Sequence, residues 1–163
     1  MKKILCIILT VISLASLFSC SRAEKYRDDR KCADVGKELT DSLADGEEYL
    51  EFDDNHKKFY FDDTEEYNDS YIIYSSDTNN INEIGVFHAP DEGRAKELEE
   101  SCREYIEDIR ETNRSFISSY APEELPKLDS AEVRRFGNYV VYTVLPTDKI
   151  ESAFDKIEDS LKK

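Results

Sequence analysis

The sequence predicts an α+β fold, with a mainly antiparallel sheet of about four to five strands packed on one side by a long central helix plus N- and C-terminal helices. Two observations favour this class. Segments of helical periodicity alternate with pairs of short β-branched and aromatic runs, in the order helix, strands, long helix, strands, helix. The runs within each pair are joined by turn sequences too short for a parallel crossover, which indicates hairpins.

The first element is predicted as a helix at residues 31–45, where apolar residues recur at helical spacing and Gly46 ends the pattern. Residues 48–52 (EYLEF) fit either a strand or a helical extension, and residues 58–61 are equally ambiguous. Residues 62–69 (DDTEEYND) are predicted as a short helical turn, because acidic residues near a helix N-terminus suit the helix dipole.

The clearest strands are residues 71–75 (YIIYS) and 82–89 (NEIGVFHA). They are joined by the turn-rich segment 76–80 and are predicted to form an antiparallel hairpin. The longest periodic segment then runs from Pro90 to Pro122 and predicts a long helix with one buried face. The apolar stripe of this helix consists of Ala95, Leu98, Cys102, Tyr105, Ile106, Ile109, Phe116, Ile117 and Tyr120.

A Pro-interrupted stretch at residues 121–129 precedes a second strand pair, at residues 131–136 and 139–145. The pair flanks Gly137-Asn138, a two-residue turn that readily takes positive φ. The chain ends with a predicted helix at residues 148–161. Its apolar face consists of Ile150, Ala153, Phe154, Ile157 and Leu161.

The N-terminus has the layout of a secretory signal peptide, with two lysines, an apolar run at residues 4–18 and a small residue before Cys20. A helix over that run would be about 22 Å long, which is too short to span the roughly 30 Å hydrocarbon core. The sequence Leu17-Phe18-Ser19-Cys20 resembles the bacterial lipobox, in which the cysteine receives a diacylglyceryl lipid and becomes the first residue after cleavage. An ordinary secretory peptide is the alternative.

These features predict a lipoprotein signal peptide at residues 1–19, an acylated Cys20 with a polar tether at residues 20–30, and a single domain at residues 31–163. The predicted location is the extracytoplasmic face of the cell membrane, with the acyl lipid on Cys20 as the membrane anchor and no other cofactor.

The chain is strongly acidic, with 37 Asp plus Glu against 22 Lys plus Arg and a net charge of −15. Nucleic acid is excluded as the main partner, because neutralising phosphates requires a basic face. Direct binding to an anionic lipid surface is disfavoured for the same reason. A basic or cationic partner, such as an envelope protein, is expected instead.

Three segments carry a family resemblance: NEIGVFHAPDEGRAKELEE at residues 82–100, YAPEE at residues 120–124 and GNYVV at residues 137–141. In this order they resemble the domain of unknown function 4358 family, over roughly residues 32–160. Its members are largely small lipoproteins of Gram-positive, clostridia-like bacteria. The resemblance implies a lipid-anchored extracytoplasmic domain with no established activity, so no catalytic residues are carried over.

Clustered acidic residues suggest a weak Ca²⁺ site, although a solvated acidic loop is the favoured interpretation, since the glycine of an EF-hand loop is missing. Zinc is poorly supported, because His56, His88 and the dispersed cysteines have no usual ligand spacing. The acidic candidates are Asp53, Asp54, Asp62, Asp63, Glu65, Glu66 and Asp69.

Cys32 and Cys102 fall on the apolar stripes of two predicted helices. They are interpreted as two buried thiols, with a disulfide between the helices as the alternative in an exported protein. The sequence has no CxxC motif for redox chemistry.

No nucleophile elbow or phosphate-binding glycine loop is present, so an enzyme is not expected. A non-enzymatic binding or adaptor domain at the cell envelope is the first hypothesis. A small envelope hydrolase that uses carboxylates brought together by the fold is the alternative. Four tyrosines either form a recognition surface or pack in a half-buried strand: Tyr60, Tyr67, Tyr71 and Tyr74.

Overall fold

The computed structural model of the chain describes residues 26–43, 45–61 and 67–163. The helices are α1 (Cys32–Leu43), α2 (Asp54–Tyr60), α3 (Glu92–Tyr120), α4 (Leu125–Ser130) and α5 (Thr147–Leu161), with a 3₁₀ turn at Pro122–Glu124. The strands are β1 (Tyr49–Glu51), β2 (Asp69–Ser75), β3 (Glu83–His88), β4 (Glu132–Phe136) and β5 (Tyr139–Val144).

The strands form one antiparallel sheet in the order β1-β2-β3-β5-β4. The predicted hairpins are therefore confirmed, and β3 pairs with β5 to join them. Gly137 in the second turn has a φ of 64°, which a residue without Cβ adopts at little cost. The predicted α+β class, with a long helix and two terminal helices, is confirmed.

Helices cover both faces of the sheet, whereas the sequence predicted one. α1 and α5 pack on the face that carries Ile73 and Val141, and α3 packs on the face that carries Ile72 and Val140. Every residue of β5 is buried. A strand that is covered on both faces has no side in contact with water, which explains why the sequence of β5 is almost continuously apolar.

The ambiguous segments each adopt one structure. Residues 49–51 form a strand, while residues 58–60 belong to a helix that begins after Asp53. The helical turn predicted for residues 62–69 falls largely outside the described residues, since residues 62–66 are not described. Residues 121–129, predicted only as a Pro-interrupted stretch, form a 3₁₀ turn that continues into α4.

Two members of the predicted buried stripe of α3 lie outside the core, although Ile117 between them is buried. Phe116 is 65% exposed and Tyr120 is 74% exposed, so these two members of the stripe do not belong to the core. Their rings instead contact each other, with centroids 4.7 Å apart. Helical periodicity indicates which side of a helix is apolar, but it does not show which of those side chains meet a neighbouring element.

Residues 26–30, predicted as part of the tether, are held against the domain. The Tyr26 hydroxyl donates to Glu158 at 3.0 Å and its ring packs edge-on against Phe136. The Arg27 amide donates to the Leu161 carbonyl at 2.7 Å. The folded domain therefore includes Tyr26. Among the described residues, no helix has the length and apolar character needed to cross a membrane.

Candidate functional site

A cleft of about 270 Å³ opens at one end of the sheet, on the face that α3 covers. It lies where β3 begins and β5 ends, and α2 and the loop that connects β2 to β3 border it. The described side chains around it are aliphatic, aromatic and amide in character, with one carboxyl group. The lining residues are Phe52, Tyr60, Tyr74, Asn80, Ile81, Asn82, Glu83, Tyr105, Ile109, Asn113, Ile117, Leu128 and Val144.

Among the described residues that line the cleft, Glu83 alone has a carboxyl group, and it lies among tyrosines. Its Oε1 accepts hydrogen bonds from the Tyr105 hydroxyl at 2.7 Å and the Tyr142 hydroxyl at 2.6 Å. Within the described part of the chain, its Oε2 has no hydrogen-bond partner and the carboxyl has no ion pair. Glu83 is therefore held in place on one side only.

Burial raises the pKa of Glu83, because the charged form loses its hydration, and the two tyrosine hydrogen bonds oppose this shift by stabilising the carboxylate. The pKa values of Tyr105 and Tyr142 are also raised, mainly by burial and by the adjacent Glu83. Both hydroxyls therefore stay protonated and available as donors. A carboxyl with a shifted pKa in a cleft is a candidate functional group.

The position of Tyr142 depends on a close approach to β3. Tyr142 on β5 lies directly across from Gly85 on β3, because the two residues are in register. A Cβ at residue 85 would overlap the Tyr142 ring. Glycine at this position therefore allows the ring to lie flat over the strand and its hydroxyl to reach Glu83.

Four aromatic side chains form a continuous wall around the cleft. The ring centroids of Tyr74 and Phe52 are 5.1 Å apart, those of Phe52 and Tyr60 are 6.3 Å apart, and those of Tyr60 and Tyr105 are 5.2 Å apart. Tyr105 donates to Glu83, and Glu83 is in register with Tyr74 on the neighbouring strand. The wall and the carboxyl therefore lie on the same face of the sheet, at the same end of it.

An ion pair fixes the rim of the cleft next to the β2–β3 loop. Lys127 Nζ contacts Glu124 Oε2 at 2.7 Å, and their side chains are 13% and 10% exposed. The same carboxylate oxygen accepts the Ile81 amide at 3.0 Å, while Lys127 also donates to Asn80 Oδ1 at 2.9 Å. This contact connects α4 and the 3₁₀ turn to the loop.

The four tyrosines singled out in the sequence are divided between the two faces of the sheet. Tyr60 and Tyr74 line the cleft, whereas Tyr67 packs edge-on against Phe87 on the same face. Tyr71 packs on the opposite face, against the core that α1 and α5 cover. The prediction that all four tyrosines form a single recognition surface is therefore wrong.

The acidic candidates for a cation site are engaged elsewhere where they are described. Asp53 Oδ1 accepts the amides of Asn55 and His56 and caps α2. Asp69 accepts the Cys32 amide at 2.8 Å. The side chain of Asp54 and all of Asp62, Asp63, Glu65 and Glu66 lie outside the described residues. The described residues contain no cluster of three metal-ligating side chains.

The two histidines lie apart and each contacts an aspartate. His56 Nδ1 lies 3.0 Å from Asp53 Oδ1. His88 Nε2 lies 2.7 Å from Asp28 Oδ1, and its ring stacks on Tyr139 with centroids 4.5 Å apart. The first contact lies at the start of α2, and the second joins the end of β3 to the N-terminal segment.

Cys32 and Cys102 are buried thiols that are not joined in a disulfide, so the alternative of a bridge is wrong for this fold. Cys32 lies in the core on the α1 side of the sheet and Cys102 in the core on the α3 side, so the sheet separates them. Burial raises the pKa of the Cys32 thiol, which makes it unreactive. The predicted lipidation site, Cys20, lies outside the described residues.

The comparisons agree with the family that the sequence resembles. A family model described as domain of unknown function 4358 matches residues 43–145, more than half of the chain. The chain belongs to this family. The match includes the whole sheet and every residue that lines the cleft, whereas most of α1 and all of α5 flank it. No curated protein and no solved structure matches the chain.

Sequence reasoning missed Glu83 as a site residue. The sequence contained a signal for this residue, because Glu83, Gly85 and Phe87 are spaced two residues apart and share the face of β3 that α3 buries. Burying an acidic side chain beside apolar neighbours costs free energy, so such a residue is expected to have hydrogen-bond or ion partners or a function. The aromatic wall, in contrast, comes from four separate segments that have no common pattern in the sequence.

Proposed function

We propose that the chain is a lipid-anchored, non-enzymatic binding domain on the outer face of a Gram-positive cytoplasmic membrane, which recognises an envelope protein or another cationic envelope component through the cleft. The observation that carries the proposal is the cleft, in which aromatic rings, aliphatic side chains and amides surround one half-buried carboxyl. Aromatic walls with a few oriented polar groups are typical of ligand sites.

The overall charge supports a cationic partner. The net charge of the chain is −15, so a basic component is attracted over the range of a Debye length, about 8 Å at physiological ionic strength. The proposed anchor rests on the lipobox-like Leu17-Phe18-Ser19-Cys20 sequence that follows the apolar run. A lipid anchor would hold the domain at the surface without basic residues.

The hydrolase alternative has less support. Glycoside hydrolysis by the common mechanisms needs two carboxyl groups that flank one bond. Of the described residues that line the cleft, only Glu83 has a carboxyl. Glu124, at the rim, is occupied by Lys127 and the Ile81 amide. The cation-binding alternative is also weakened, because Asp53 already caps α2.

Photo-cross-linking in native membranes tests the proposal. A photoreactive phenylalanine replaces Tyr60, which is 42% exposed in the cleft wall, and in a matched control it replaces Lys156, which is exposed on α5 across the sheet. We expect one saturable adduct from position 60 that is absent from position 156 and is lost in a Glu83→Gln background. Equal adducts from both positions, or none at saturating light, would contradict the binding role.

The anchor has its own control. A Cys20→Ala variant should move from the membrane fraction to the soluble fraction and lose the adduct formed in membranes. If mass spectrometry finds no lipid on Cys20 of the unmodified sequence, the lipid-anchor part of the proposal is wrong, whatever the outcome for the cleft.

A further inference from the structure

Glu83, which is half-buried, differs from Glu124, the buried acidic residue at this end of the sheet. Glu124 has Lys127 as an ion partner at 2.7 Å. Glu83 receives hydrogen bonds only from neutral tyrosine hydroxyls, and no Lys or Arg is among the described residues that line the cleft. A buried carboxylate is costly unless a positive charge pairs with it. The fold thus leaves a position for a cation beside Glu83 Oε2.

The aromatic wall adds the second requirement of such a site. Tyr74, Phe52, Tyr60 and Tyr105 follow one another with centroid separations of 5.1, 6.3 and 5.2 Å, and they return to Glu83 through a hydrogen bond and a strand pairing. A cation within about 6 Å of an aromatic centroid is attracted by the ring quadrupole. The wall and the Glu83 carboxyl therefore offer π faces and negative charge to the same cleft.

We propose that the cleft binds an alkylammonium group, with the Glu83 carboxylate as its charge partner and the rings of Phe52, Tyr60, Tyr74 and Tyr105 around its alkyl substituents. This inference rests on the proposed function, because it names the ligand chemistry of the same cleft. The volume of about 270 Å³ is small for a complete drug-sized ligand, so the cleft takes the ammonium-bearing end of a molecule.

Other ligand classes fit the cleft less well. An anion would be repelled by Glu83, and a purely apolar group would bury the carboxylate without a partner. A hard metal ion prefers several oxygen ligands, and the described cleft has one carboxyl surrounded by rings. The amides of Asn80 and Asn113 lie in the lining, where they can hydrogen-bond polar parts of the same ligand.

Titration calorimetry with the full-length protein tests the inference. The protein is kept in a maltoside detergent, since choline-containing lipids and quaternary-ammonium detergents would compete. The probes are choline, n-butylammonium and the neutral choline isostere 3,3-dimethylbutan-1-ol. We expect at least one of the two cations to bind about tenfold more tightly than the neutral isostere, a difference that equals about 1.4 kcal/mol.

Two variants and a control assign the binding to the cleft. Glu83→Gln keeps a hydrogen-bond acceptor for the tyrosines and should remove the preference for the cation over the isostere. Tyr60→Leu removes one exposed ring from the wall and should weaken cation binding several-fold, whereas Tyr120→Leu, on an exposed ring outside the cleft, should not. Equal affinity for cation and isostere, or equal effects of the two leucine variants, would overturn the inference.

An NMR titration of Glu83 separates this inference from the proposed function. A bound cation should lower the pKa of Glu83, which faces Tyr74 on β2, Tyr105 on α3 and Tyr142 on β5. An unchanged pKa of Glu83 at saturating choline and n-butylammonium, together with a cross-linked partner at position 60, would retain the binding domain and refute the alkylammonium site.

Discussion

At the scale of single residues, the cleft depends on how two tyrosines hold Glu83. Both hydroxyls donate to the same oxygen, and each hydrogen bond lowers the pKa that burial raises. The two tyrosines therefore stabilise the Glu83 carboxylate in part, as a cation would in an ion pair. Removing either hydroxyl should leave the carboxylate less stable than in the intact protein.

Tyr142→Phe tests this dependence, because it removes one donor and keeps the ring that packs in the core. We expect the pKa of Glu83 to rise further, and ¹³C NMR of the Glu83 carboxyl carbon over a pH series measures it. Tyr139→Phe is the matched control, since the Tyr139 hydroxyl instead contacts Arg30 on the other face of the sheet. A pKa of Glu83 that moves equally in both variants would contradict the assignment.

The sign of the effect on stability follows from the same shift. The pKa of Glu83 is raised in the folded state, so the folded protein binds more protons than the unfolded chain between the two pKa values. The free energy of unfolding therefore falls as pH rises through that interval and is level with respect to Glu83 above it. Glu83→Gln should remove this part of the pH dependence.

At the scale of the elements, the sequence predicts most of what local periodicity can record. The stripe from Ala95 to Ile106 predicts the part of α3 that lies on the sheet, and alternating strands with Gly137-Asn138 between them predict a hairpin. Phe116 belongs to the same stripe but is exposed while its neighbour Ile117 is buried, because periodicity does not show which apolar positions meet another element. The burial of both sheet faces was visible only in the continuous apolar sequence of β5.

The cleft itself could be predicted only in fragments. The sequence offers Tyr60 and Tyr74 either for a recognition surface or for packing in a strand, but their aromatic neighbours Phe52 and Tyr105 belong to segments that tertiary packing brings together. Glu83 has an in-phase position that could have indicated a function, yet its partners come from α3 and β5. Contacts between residues distant in sequence have no local pattern.

The ion pair between Glu124 and Lys127 is expected to stabilise the rim of the cleft. Lys127→Met should lower the free energy of unfolding by about 3 kcal/mol, because it leaves Glu124 buried without a positive partner. Adding Glu124→Gln should recover most of that loss, since the amide oxygen still accepts the Ile81 amide. Urea unfolding of both single variants and the double variant measures the coupling. Additive losses would contradict a direct pair.

At the scale of the whole molecule, the N-terminal segment and the cleft lie at opposite ends of the sheet. Tyr26 packs against Phe136 beside the β4–β5 turn, and His88 at the end of β3 contacts Asp28. Glu83 is at the start of β3, about 17 Å from His88 at about 3.4 Å per residue. The chain thus enters the domain at the end away from the cleft.

This arrangement predicts the orientation of the domain on a membrane. If Cys20 is acylated, residues 21–25 reach at most about 20 Å at about 3.4 Å per residue. The short connection keeps the Tyr26 end of the domain near the lipid and directs the cleft outward, toward the envelope. The cleft would then be accessible to an envelope component without reorientation of the domain.

Fluorescence energy transfer to a headgroup acceptor in vesicles measures this orientation. Single labels are placed at Asp29→Cys and Asn79→Cys, both exposed, while the native Cys32 and Cys102 are fully buried and should not react in the folded protein. We expect stronger transfer from residue 29 than from residue 79, because the first lies at the tethered end and the second lies in the loop beside the cleft. Equal transfer, or stronger transfer from residue 79, would show that the domain lies on its side or is inverted. Cys20→Ala, prepared without residues 1–19, should abolish transfer from both labels on anionic vesicles, since the net negative charge of the chain disfavours contact with an anionic surface.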